Sequence, residues 1–545
     1  MTNFGTTKKS GRLLNQIYIS INLIFKMRLK QRLLLFMILS AMNSLLAQVT
    51  PVKLKIFVSD NSSPYINAKN KNDLVQFYSM QQYQPVWMLS SFQCKNLLSL
   101  IQTSGDRGLN EKDYQPDFIR SLCEGKILLK NNKDSIDTEI RLTAIALNFF
   151  NDVFYGNTPP ALGYDGLNYI PQGFNIPELL TNSLQQNSLA ELNEDAYIAM
   201  PEIKAIRKQI QRIQKITGDS AYKEERVEST KVNADNKPLG KKLFYLGLID
   251  LLNKKLSDKE MKEKVKEAQK QLDLLADGVL RSTALDALNI PLKVRLKQLT
   301  LSINYYRWLY SLSQQESVIV VNIPAAYMKV YYQGAVVIEM KMVVGKPSTP
   351  TPTLSSRLQQ VVLYPYWTVP YSIATKELLP SIKRNPGFID AGNYQVLNKQ
   401  GKIMNPYTIG WSLLNAKNFP YIIRQSTGCD NALGLIKFDF YSPFGVYLHD
   451  TPSKSLFILK KRFFSHGCMR LGDPMKLGHL VLKNNAIAID TLEQKGCLRN
   501  QRPIYVPPDV RIPVVVWYNP AGIDSSGRVI YYEDVYKKLA WMKEY

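Results

Sequence analysis

The sequence has 545 residues, of which 45% are hydrophobic and 10% aromatic, and its formal net charge is +24. A chain this apolar is not disordered overall, and its length suggests about three domains. Five cysteines and three histidines are too few for a disulfide scaffold or a protein with several metals. After residue 50, no apolar run reaches the length of a transmembrane helix, which excludes a polytopic membrane protein.

The first 48 residues predict a secretory signal. Basic residues after Met27 precede a short apolar core, Leu33–Leu39, and the small residues Ser44 and Ala47 fit a cleavage site. Met27 is the expected true start. The alternative is an uncleaved signal that anchors the protein, which is the only membrane association we expect. Export places the protein in the envelope or outside the cell, where disulfides are allowed.

The remaining positive charge is diffuse and is densest in residues 203–270. A positive surface favours polyanions such as nucleic acid, anionic lipid or acidic wall polymer. The sequence has neither zinc-finger spacing nor an RNA-binding aromatic motif, so we expect no nucleic-acid partner. The alternative interpretation is a basic solvated surface.

The first half of the chain is predicted to be helical. Apolar residues at helical spacing predict helices over 136–156, 201–216 and 292–313. The polar, lysine-rich stretch 217–242 is typical of a linker. Small helices are expected over 243–289.

After residue 316 the pattern becomes that of a β protein, with Gln333 and Gly334 as a hairpin turn. An insertion over 372–430, with a short helix at Ser372 to Lys383, favours a functional lid. Asp473 followed by Pro474 predicts the start of a further helix. The expected strands include VVLYPYWTV (361–369), GLIKFDF (434–440), GVYLHD (445–450) and RIPVVVWYN in the tail.

The segment Ser465–Arg470 reads SHGCMR, and fifteen residues separate it from His449, which ends a predicted strand. A nucleophilic cysteine needs a base or cation that lowers its thiol pKa. It also needs exposure, and a flexible neighbour that lets backbone N–H groups turn toward an oxyanion. Gly467 supplies the flexibility and a histidine supplies the base, so Cys468 is the candidate nucleophile.

This motif resembles the L,D-transpeptidase catalytic domain, in which an upstream histidine, a spacer of similar length and Ser-His-Gly-Cys precede an apolar residue and Arg or Asn. The flanking segments are similar to the large periplasmic branch of that family over nearly all of the chain after residue 50. The resemblance implies a multi-domain α+β fold with helical domains and a β-rich catalytic domain. The expected parts are a signal (1–48), a scaffold domain (49–230), a small peptidoglycan-binding-like helical domain (243–291), the catalytic domain (317–493, lid about 372–430) and a tail returning to the scaffold (494–545).

The resemblance also implies a reaction on peptidoglycan stem peptides. Cys468 would attack the carbonyl of the third residue of a tetrapeptide stem, expel D-alanine and form a thioester. His449 would be the base, with the backbone carbonyl of Asp450 orienting its ring. N–H groups of Gly467 and Cys468 would form the oxyanion hole. An amine of a second stem would then resolve the thioester and give a 3-3 cross-link.

The residues alone leave the base open. In an extended segment, residues two apart point the same way, so His466 could also pair with Cys468. The family pattern assigns the base to His449, which leaves His466 a pocket or oxyanion role, with Ser465 among the orienting residues.

Four further residues are candidates for substrate binding, namely Arg470, Tyr447, Trp367 and Asn431. For Arg470 the alternatives are binding a substrate carboxylate and pairing with Asp473. For the others the alternatives are core aromatics and a turn asparagine.

No cofactor and no metal are expected. His449, His466 and Cys468 could in principle hold zinc, but no carboxylate or further cysteine is spaced to complete such a site. His479, in the helix after the motif, is interpreted as a packing or surface histidine.

The other cysteines leave a disulfide open. Cys94 and Cys123 could form one, Cys429 could approach the active site from the insertion, and Cys497 has no evident role. The segment 262–289 resembles a peptidoglycan-binding domain but has Arg281 where that family usually has glycine, so a plain spacer is the alternative.

Two other functions remain open. The same Cys–His site could serve an L,D-carboxypeptidase or a hydrolase of protein–wall bonds, or the chain could be a non-catalytic wall-binding scaffold. A titrating Cys–His pair predicts a rate that rises from about pH 6 toward 8.

Overall fold

The structure is a computed structural model that describes residues 49–192, 197–252 and 255–543. The predicted signal, 1–48, lies outside the described residues. The fold is multi-domain α+β, with a helical N-terminal region and a β-rich C-terminal region, as predicted. In the described part of the chain, no helix combines the length and apolarity needed to cross a membrane.

The described residues fall into two compact units. The first holds the residues up to 103 together with 110–151 and 175–192, and the second holds 104–109, 152–174 and the residues from 197 on. Each unit combines segments that are distant in the sequence. The predicted domain boundaries therefore do not coincide with these units, and they stay predictions.

The first unit is helical. Its longest helix buries one apolar face, which includes Ile136, Ile140 and Leu147 at helical spacing. The helices of this region are α1 (Pro51–Ser59), α2 (Lys71–Met80), α3 (Ser91–Gln102), α4 (Pro116–Cys123), α5 (Asn132–Tyr155, whose last turn belongs to the second unit) and α6 (Ile176–Gln185).

A buried carboxylate on α5 organises this unit. Glu139 accepts the backbone N–H groups of Val86 at 2.7 Å, Met88 at 2.9 Å and Trp87 at 3.1 Å. Burial raises the pKa of Glu139 to about 7, although these N–H donors lower it. The Trp87 indole donates to Thr143 Oγ1 at 2.9 Å, so two polar side chains of α5 fix the Pro-Val-Trp segment.

The helices of the second unit precede its sheet. The predicted linker 217–242 is irregular up to Asn236, where a helix is capped by the Asn236 side chain. The next helix starts with a capping box of Ser257 and Glu260. These helices are α7 (Pro201–Thr217), α8 (Lys237–Tyr245), α9 (Asp258–Gln271), α10 (Ser282–Leu288) and α11 (Leu292–Ser313).

The core of the second unit lies against an eleven-stranded sheet with the order β1-β5-β10-β11-β13-β4-β3-β2-β15, to which β12 and β14 attach. The hairpin turn at Gln333 and Gly334 is present, and both residues have positive φ. The strands are β1 (Tyr164–Asp165), β2 (Val318–Asn322), β3 (Tyr327–Tyr332), β4 (Ala335–Gly345), β5 (Leu354–Leu363), β10 (Ile436–Phe440), β11 (Leu448–His449), β12 (Phe463–Ser465), β13 (Met469–Leu471), β14 (Ile504–Val506) and β15 (Pro513–Trp517).

The tail does more than return to the predicted scaffold. Strands β14 and β15 pair with β5, and β15 also pairs with β2, so this part of the tail completes the sheet. The hairpin β16 (Ala521–Ile523) and β17 (Val529–Tyr531) then packs against α7, which belongs to the segment predicted as scaffold. The prediction missed the contribution to the sheet because pairing across 150 residues cannot be read from a local pattern.

The predicted lid is a small subdomain with its own core, which includes Val396, Trp411 and Ile423. Its four-stranded sheet has the order β6-β9-β7-β8, formed by β6 (Trp367–Thr368), β7 (Tyr394–Leu397), β8 (Ile403–Met404) and β9 (Ile422–Gln425). One continuous helix crosses it as α12 (Tyr371–Ile373), a π-helical turn (Ala374–Leu378) and α13 (Leu379–Arg384), and α14 (Phe388–Ala391) follows.

A disulfide joins Cys429, at the end of the lid, to Cys497. Cys497 follows α16 (Ala486–Lys495), which packs on α15 (Pro474–Val481). The sequence had offered Cys94 and Cys123 as the possible pair. Both cysteines are free in the structure, but their sulfurs lie 2.6 Å apart, well inside van der Waals contact, so a disulfide between them stays a prediction. The Cys429–Cys497 bond joins residues 68 positions apart. Only the tertiary fold brings these two cysteines together, so the sequence did not reveal the pair.

Candidate active site

Five polar side chains lie on one face of three neighbouring strands, β10, β11 and β13. His449 is the register partner of Lys437 on one side and of Arg470 on the other. Because side chains alternate along a strand, these three residues share a face. Tyr447 and Cys468 precede His449 and Arg470 by two residues and extend the same face. Strand pairing therefore brings together residues spread over more than thirty positions.

His449 is buried, with 4% of its surface exposed. Its Nδ1 lies 2.5 Å from the backbone oxygen of Asp450. A carbonyl oxygen only accepts, so Nδ1 carries the proton and Nε2 is the basic nitrogen. Burial, with the positive charges of Arg470 and Lys437, lowers the pKa of His449 to about 3. The ring is therefore neutral at physiological pH.

The carbonyl that orients His449 is itself held in place. The Asp450 N–H donates to the Ile436 oxygen at 2.9 Å. Its carboxylate accepts from the Leu435 N–H at 2.9 Å and from Lys454 Nζ at 2.6 Å. Gly434 has a φ of +61°, and a Cβ there would lie 2.2 Å from Asp450 Oδ2. Only glycine fits beside this carboxylate.

The thiol of Cys468 is half-buried and contacts Tyr447. Both the backbone N–H and the hydroxyl of Tyr447 donate to the sulfur, and the Trp367 indole donates to the same hydroxyl. Burial raises the pKa of the Cys468 thiol, while Tyr447, Lys437 and Arg470 lower it by a smaller amount. Cys468 is therefore a thiol in the resting site, contrary to the expectation that a histidine lowers its pKa.

The loop between β12 and β13 is fixed by hydroxyl groups. The Ser465 hydroxyl donates to the Cys468 carbonyl at 2.5 Å and accepts the Gly467 N–H at 3.2 Å. The Thr351 hydroxyl donates to the Gly467 carbonyl at 2.8 Å. Gly467 has a φ of +118°, a conformation that side-chain-bearing residues rarely adopt. Ser465 thus helps to fix the conformation of the loop that carries Cys468.

The backbone N–H groups of Gly467 and Cys468, which were expected to form an oxyanion hole, differ in whether they already donate a hydrogen bond. The Gly467 N–H is occupied by Ser465. Among the described residues, no acceptor takes the Cys468 N–H. The Cys468 N–H is therefore the better oxyanion donor of the two.

His466 faces the lid. Its Nε2 lies 2.7 Å from Glu377 Oε1, and Glu377 belongs to the π-helical turn of the lid helix. The sequence had left open a pairing with Cys468 through extended alternation. The positive φ of Gly467 breaks that alternation, so the two side chains diverge.

Arg470 does not pair with Asp473. The Asp473 side chain instead caps α15 by accepting the Lys476 N–H at 3.3 Å. In the described part of the chain, Arg470 Nε is buried without a hydrogen-bond partner. Of the two alternatives that the sequence left open, the structural pairing is wrong.

Lys437 was missed by the sequence analysis. Its Nζ lies 4.2 Å from the centre of the Tyr447 ring and 2.8 Å from Asp439 Oδ1. Its position inside an apolar strand was a signal. The register that places it beside His449, however, cannot be read from one sequence.

Asn431 is buried, and its amide is occupied. Its Nδ2 donates to the oxygens of Pro365 at 3.0 Å and Ser426 at 2.8 Å, and its Oδ1 accepts the Leu433 N–H at 2.8 Å. These contacts favour the turn asparagine over the substrate-binding alternative. Asn431 ties the two ends of the lid to each other.

The three residues that could in principle hold zinc, His449, His466 and Cys468, do not converge, because His466 lies against Glu377. Among the residues that the structure describes, the group able to hold a metal is His479, Asp490 and Glu493, at the surface of α15 and α16. None of these three residues belongs to the catalytic loop. His479 is part-exposed, in line with its interpretation as a surface histidine.

Comparison with known families now identifies this region. Residues 316–489 match the YkuD family, described as the L,D-transpeptidase catalytic domain. Residues 316–489, which include the candidate site, are thus similar to L,D-transpeptidase catalytic domains. Residues 72–210 match a second family, described as the Scaffold domain. The resemblance predicted from the motif is thereby confirmed.

Individual relatives of this L,D-transpeptidase domain cover only part of the chain. A Haemophilus influenzae protein, provisionally named an L,D-transpeptidase, is 34% identical over 218 residues, which are 40% of this chain and 44% of the relative. A solved L,D-transpeptidase from Stackebrandtia nassauensis is 12% identical, with a TM-score of 0.20, over 55% of this chain and 98% of its own. One from Xylanimonas cellulosilytica is 13% identical, with a TM-score of 0.17, over 55% and 100%.

Proposed function

We propose that this protein is a peptidoglycan L,D-transpeptidase that works outside the cytoplasm through Cys468. The observation that carries the proposal is the neutral His449, whose Nδ1 proton is held by the Asp450 carbonyl on the face that also carries the thiol. A neutral imidazole with a basic Nε2 can accept a thiol proton. The match to the catalytic domain supplies the substrate class.

In the first half of the reaction, Cys468 passes its proton to His449 Nε2 as its sulfur attacks the carbonyl carbon of the third stem residue. The C–S bond forms, and the C–N bond to D-alanine breaks. His449 returns the proton to the departing amine. A thioester on Cys468 remains. Because the resting pair is neutral, charge develops only during the attack.

The site is arranged to stabilise that developing charge. Tyr447 donates two hydrogen bonds to the sulfur, and Lys437 and Arg470 add positive charge beside it. The Cys468 N–H faces the developing oxyanion, while Ser465 and Gly467 hold the loop that presents it. Groups that are fixed before the reaction need no reorganisation during it.

Arg470 is the proposed contact for a carboxylate of the donor stem. Its guanidinium is partly buried, and its Nε lacks a partner within the described residues. A buried donor without an acceptor is costly unless a ligand fills it. Trp367, from the first lid strand, would border the same pocket through its contact with Tyr447.

In the second half of the reaction, an amine of a second stem attacks the thioester carbon. The new C–N bond forms the 3-3 cross-link, the C–S bond breaks, and the thiolate recovers a proton. If water replaces the amine, the product is a trimmed stem and the enzyme is a carboxypeptidase. Product analysis distinguishes the two outcomes, because the acceptor is a substrate.

The test uses protein that starts near Gln48, its Cys468→Ala variant and a disaccharide-tetrapeptide, with products and intact protein read by mass spectrometry. The parent should form a dimer that lacks one D-alanine, and the variant should form none. Tripeptide without dimer would favour hydrolysis. A dimer yield unchanged in the variant would refute the proposal.

A further inference from the structure

The catalytic loop has a second acid–base pair that the acylation step does not use. His466, two residues before the nucleophile, is bound to Glu377 on the lid. The carboxylate can only accept, so His466 Nε2 carries the shared proton. In the neutral ring, Nδ1 is then the basic nitrogen. A histidine oriented by a carboxylate is a common arrangement for a general base.

The pair is accessible, unlike His449. About a third of the His466 side chain and half of the Glu377 side chain are exposed, 34% and 50% respectively. A second stem that reaches the thioester from solvent could touch both groups. Exposed ion pairs contribute little to stability, so the pair is not needed to hold the lid.

The charges of the site are divided between its two walls. Lys437 and Arg470 give the sheet wall a net positive charge, although Asp439 pairs with Lys437, and this suits a thiolate and a donor carboxylate. Glu377 places a carboxylate on the lid wall. An incoming ammonium group is repelled by the first wall and attracted by the second.

We propose that Glu377 and His466 bind and deprotonate the ammonium group of the acceptor stem. Glu377 accepts a hydrogen bond from the ammonium, and His466 Nδ1 removes one proton. The neutral amine then attacks the thioester carbon, the C–N bond forms, and the C–S bond breaks. The leaving Cys468 thiolate takes the proton that the new amide nitrogen loses. This assignment rests on the proposed function.

The test separates the two halves of the reaction in the full protein. Acyl-enzyme is first formed with the tetrapeptide donor and is then mixed with one of two nucleophiles. One is a stem peptide with a free side-chain amine, and the other is hydroxylamine, which is already neutral at pH 7. Mass spectrometry follows the loss of the acyl group. The variants are Glu377→Gln and His466→Asn.

We expect Glu377→Gln and His466→Asn to slow the reaction with the stem amine at least tenfold. The rate of their reaction with hydroxylamine should change less than twofold, because this nucleophile needs no deprotonation before it attacks the thioester. A lid that had merely lost its shape would slow both nucleophiles and the acylation alike. The matched control is Glu493→Gln, an exposed glutamate 3.4 Å from another histidine, His479, and it should behave as the parent.

Each outcome has a separate meaning. If the parent forms no acyl-enzyme, the proposed function fails. If it does, and the Glu377→Gln variant reacts with the stem amine as fast as the parent, only the acceptor site is overturned. Equal slowing with both nucleophiles would also overturn it, in favour of a structural role for the lid contact.

Discussion

The two histidines of the catalytic region lie in opposite environments. His449 is buried on the sheet wall beside two cations, and its partner is a backbone carbonyl. His466 is part-exposed beside the lid, and its partner is a carboxylate. Burial and nearby positive charge keep the first ring neutral, whereas the second ring is oriented by a carboxylate. One motif thus supplies two bases suited to different proton donors, a thiol and an ammonium.

The largest expected effect is a difference in acylation rate between variants of the two histidines. His449→Asn should lower the rate of acylation by about 10³- to 10⁴-fold, because the thiol loses its base. His466→Asn should lower the same rate less than about tenfold, since its partner is on the lid. Stopped-flow mixing with the donor, with mass spectrometry of the acyl-enzyme, measures both. Equal losses of acylation rate in the two variants would mean that both histidines are needed for acylation.

The next effect concerns the covalent attachment of the lid. Replacing Cys429 and Cys497 with serine should lower the free energy of unfolding by about 4 kcal/mol, from the entropy of a 68-residue loop. Denaturant unfolding of the oxidised protein measures this difference. The control is the same comparison under reducing conditions, where the parent also lacks the bond and the two proteins should be equally stable. A difference that persists after reduction would argue against the Cys429–Cys497 bond.

A smaller effect is expected from one hydroxyl on the sheet wall. Tyr447→Phe removes the O–H that donates to the Cys468 sulfur and should slow acylation about 10- to 100-fold, the value of a hydrogen bond to a charged group. The donor concentration at half-saturation should hardly change. A rise in that concentration at an unchanged rate would instead place Tyr447 in substrate binding.

The smallest expected effect is that of pH, which should leave the acylation rate nearly unchanged. The pKa of His449 is about 3, and burial raises that of Cys468, so neither group titrates between pH 5 and 8. The acylation rate should vary less than about twofold over that range. This differs from the rise toward pH 8 that the motif alone suggested. A tenfold rise from pH 6 to 8 would show that the thiol ionises there.

The sequence predicted the fold class, the family and the main helices because those depend on local periodicity and a short motif. Helices predicted over 136–156 and 292–313 appear as Asn132–Tyr155 and Leu292–Ser313. The cap at Asp473 is present because its three-residue signal is local. The tail strands that complete the sheet were not assigned there, because their partners lie far away in the sequence.

The same limit applies to the candidate site. Cys468 and His449 were found from one motif, and Tyr447 and Arg470 from their positions next to it. Lys437 and Glu377 were missed, because the first depends on strand register and the second on how the lid folds back. The alternative pairing of His466 with Cys468 is not seen, since extended alternation fails at a glycine with positive φ, and the pocket role of His466 stays a prediction.

The π-helical turn Ala374–Leu378 has a consequence for how this lid can change in evolution. Such a turn holds one residue more than the α-helix around it. Because the turn absorbs this extra residue, deleting one residue there would restore a regular helix, leave the flanking turns in place and reorient the side chains within the turn. The carboxylate of Glu377 would then leave His466 while the lid kept its core. A single-codon deletion could thus remove the negative wall from this domain and leave the nucleophile and its base in place.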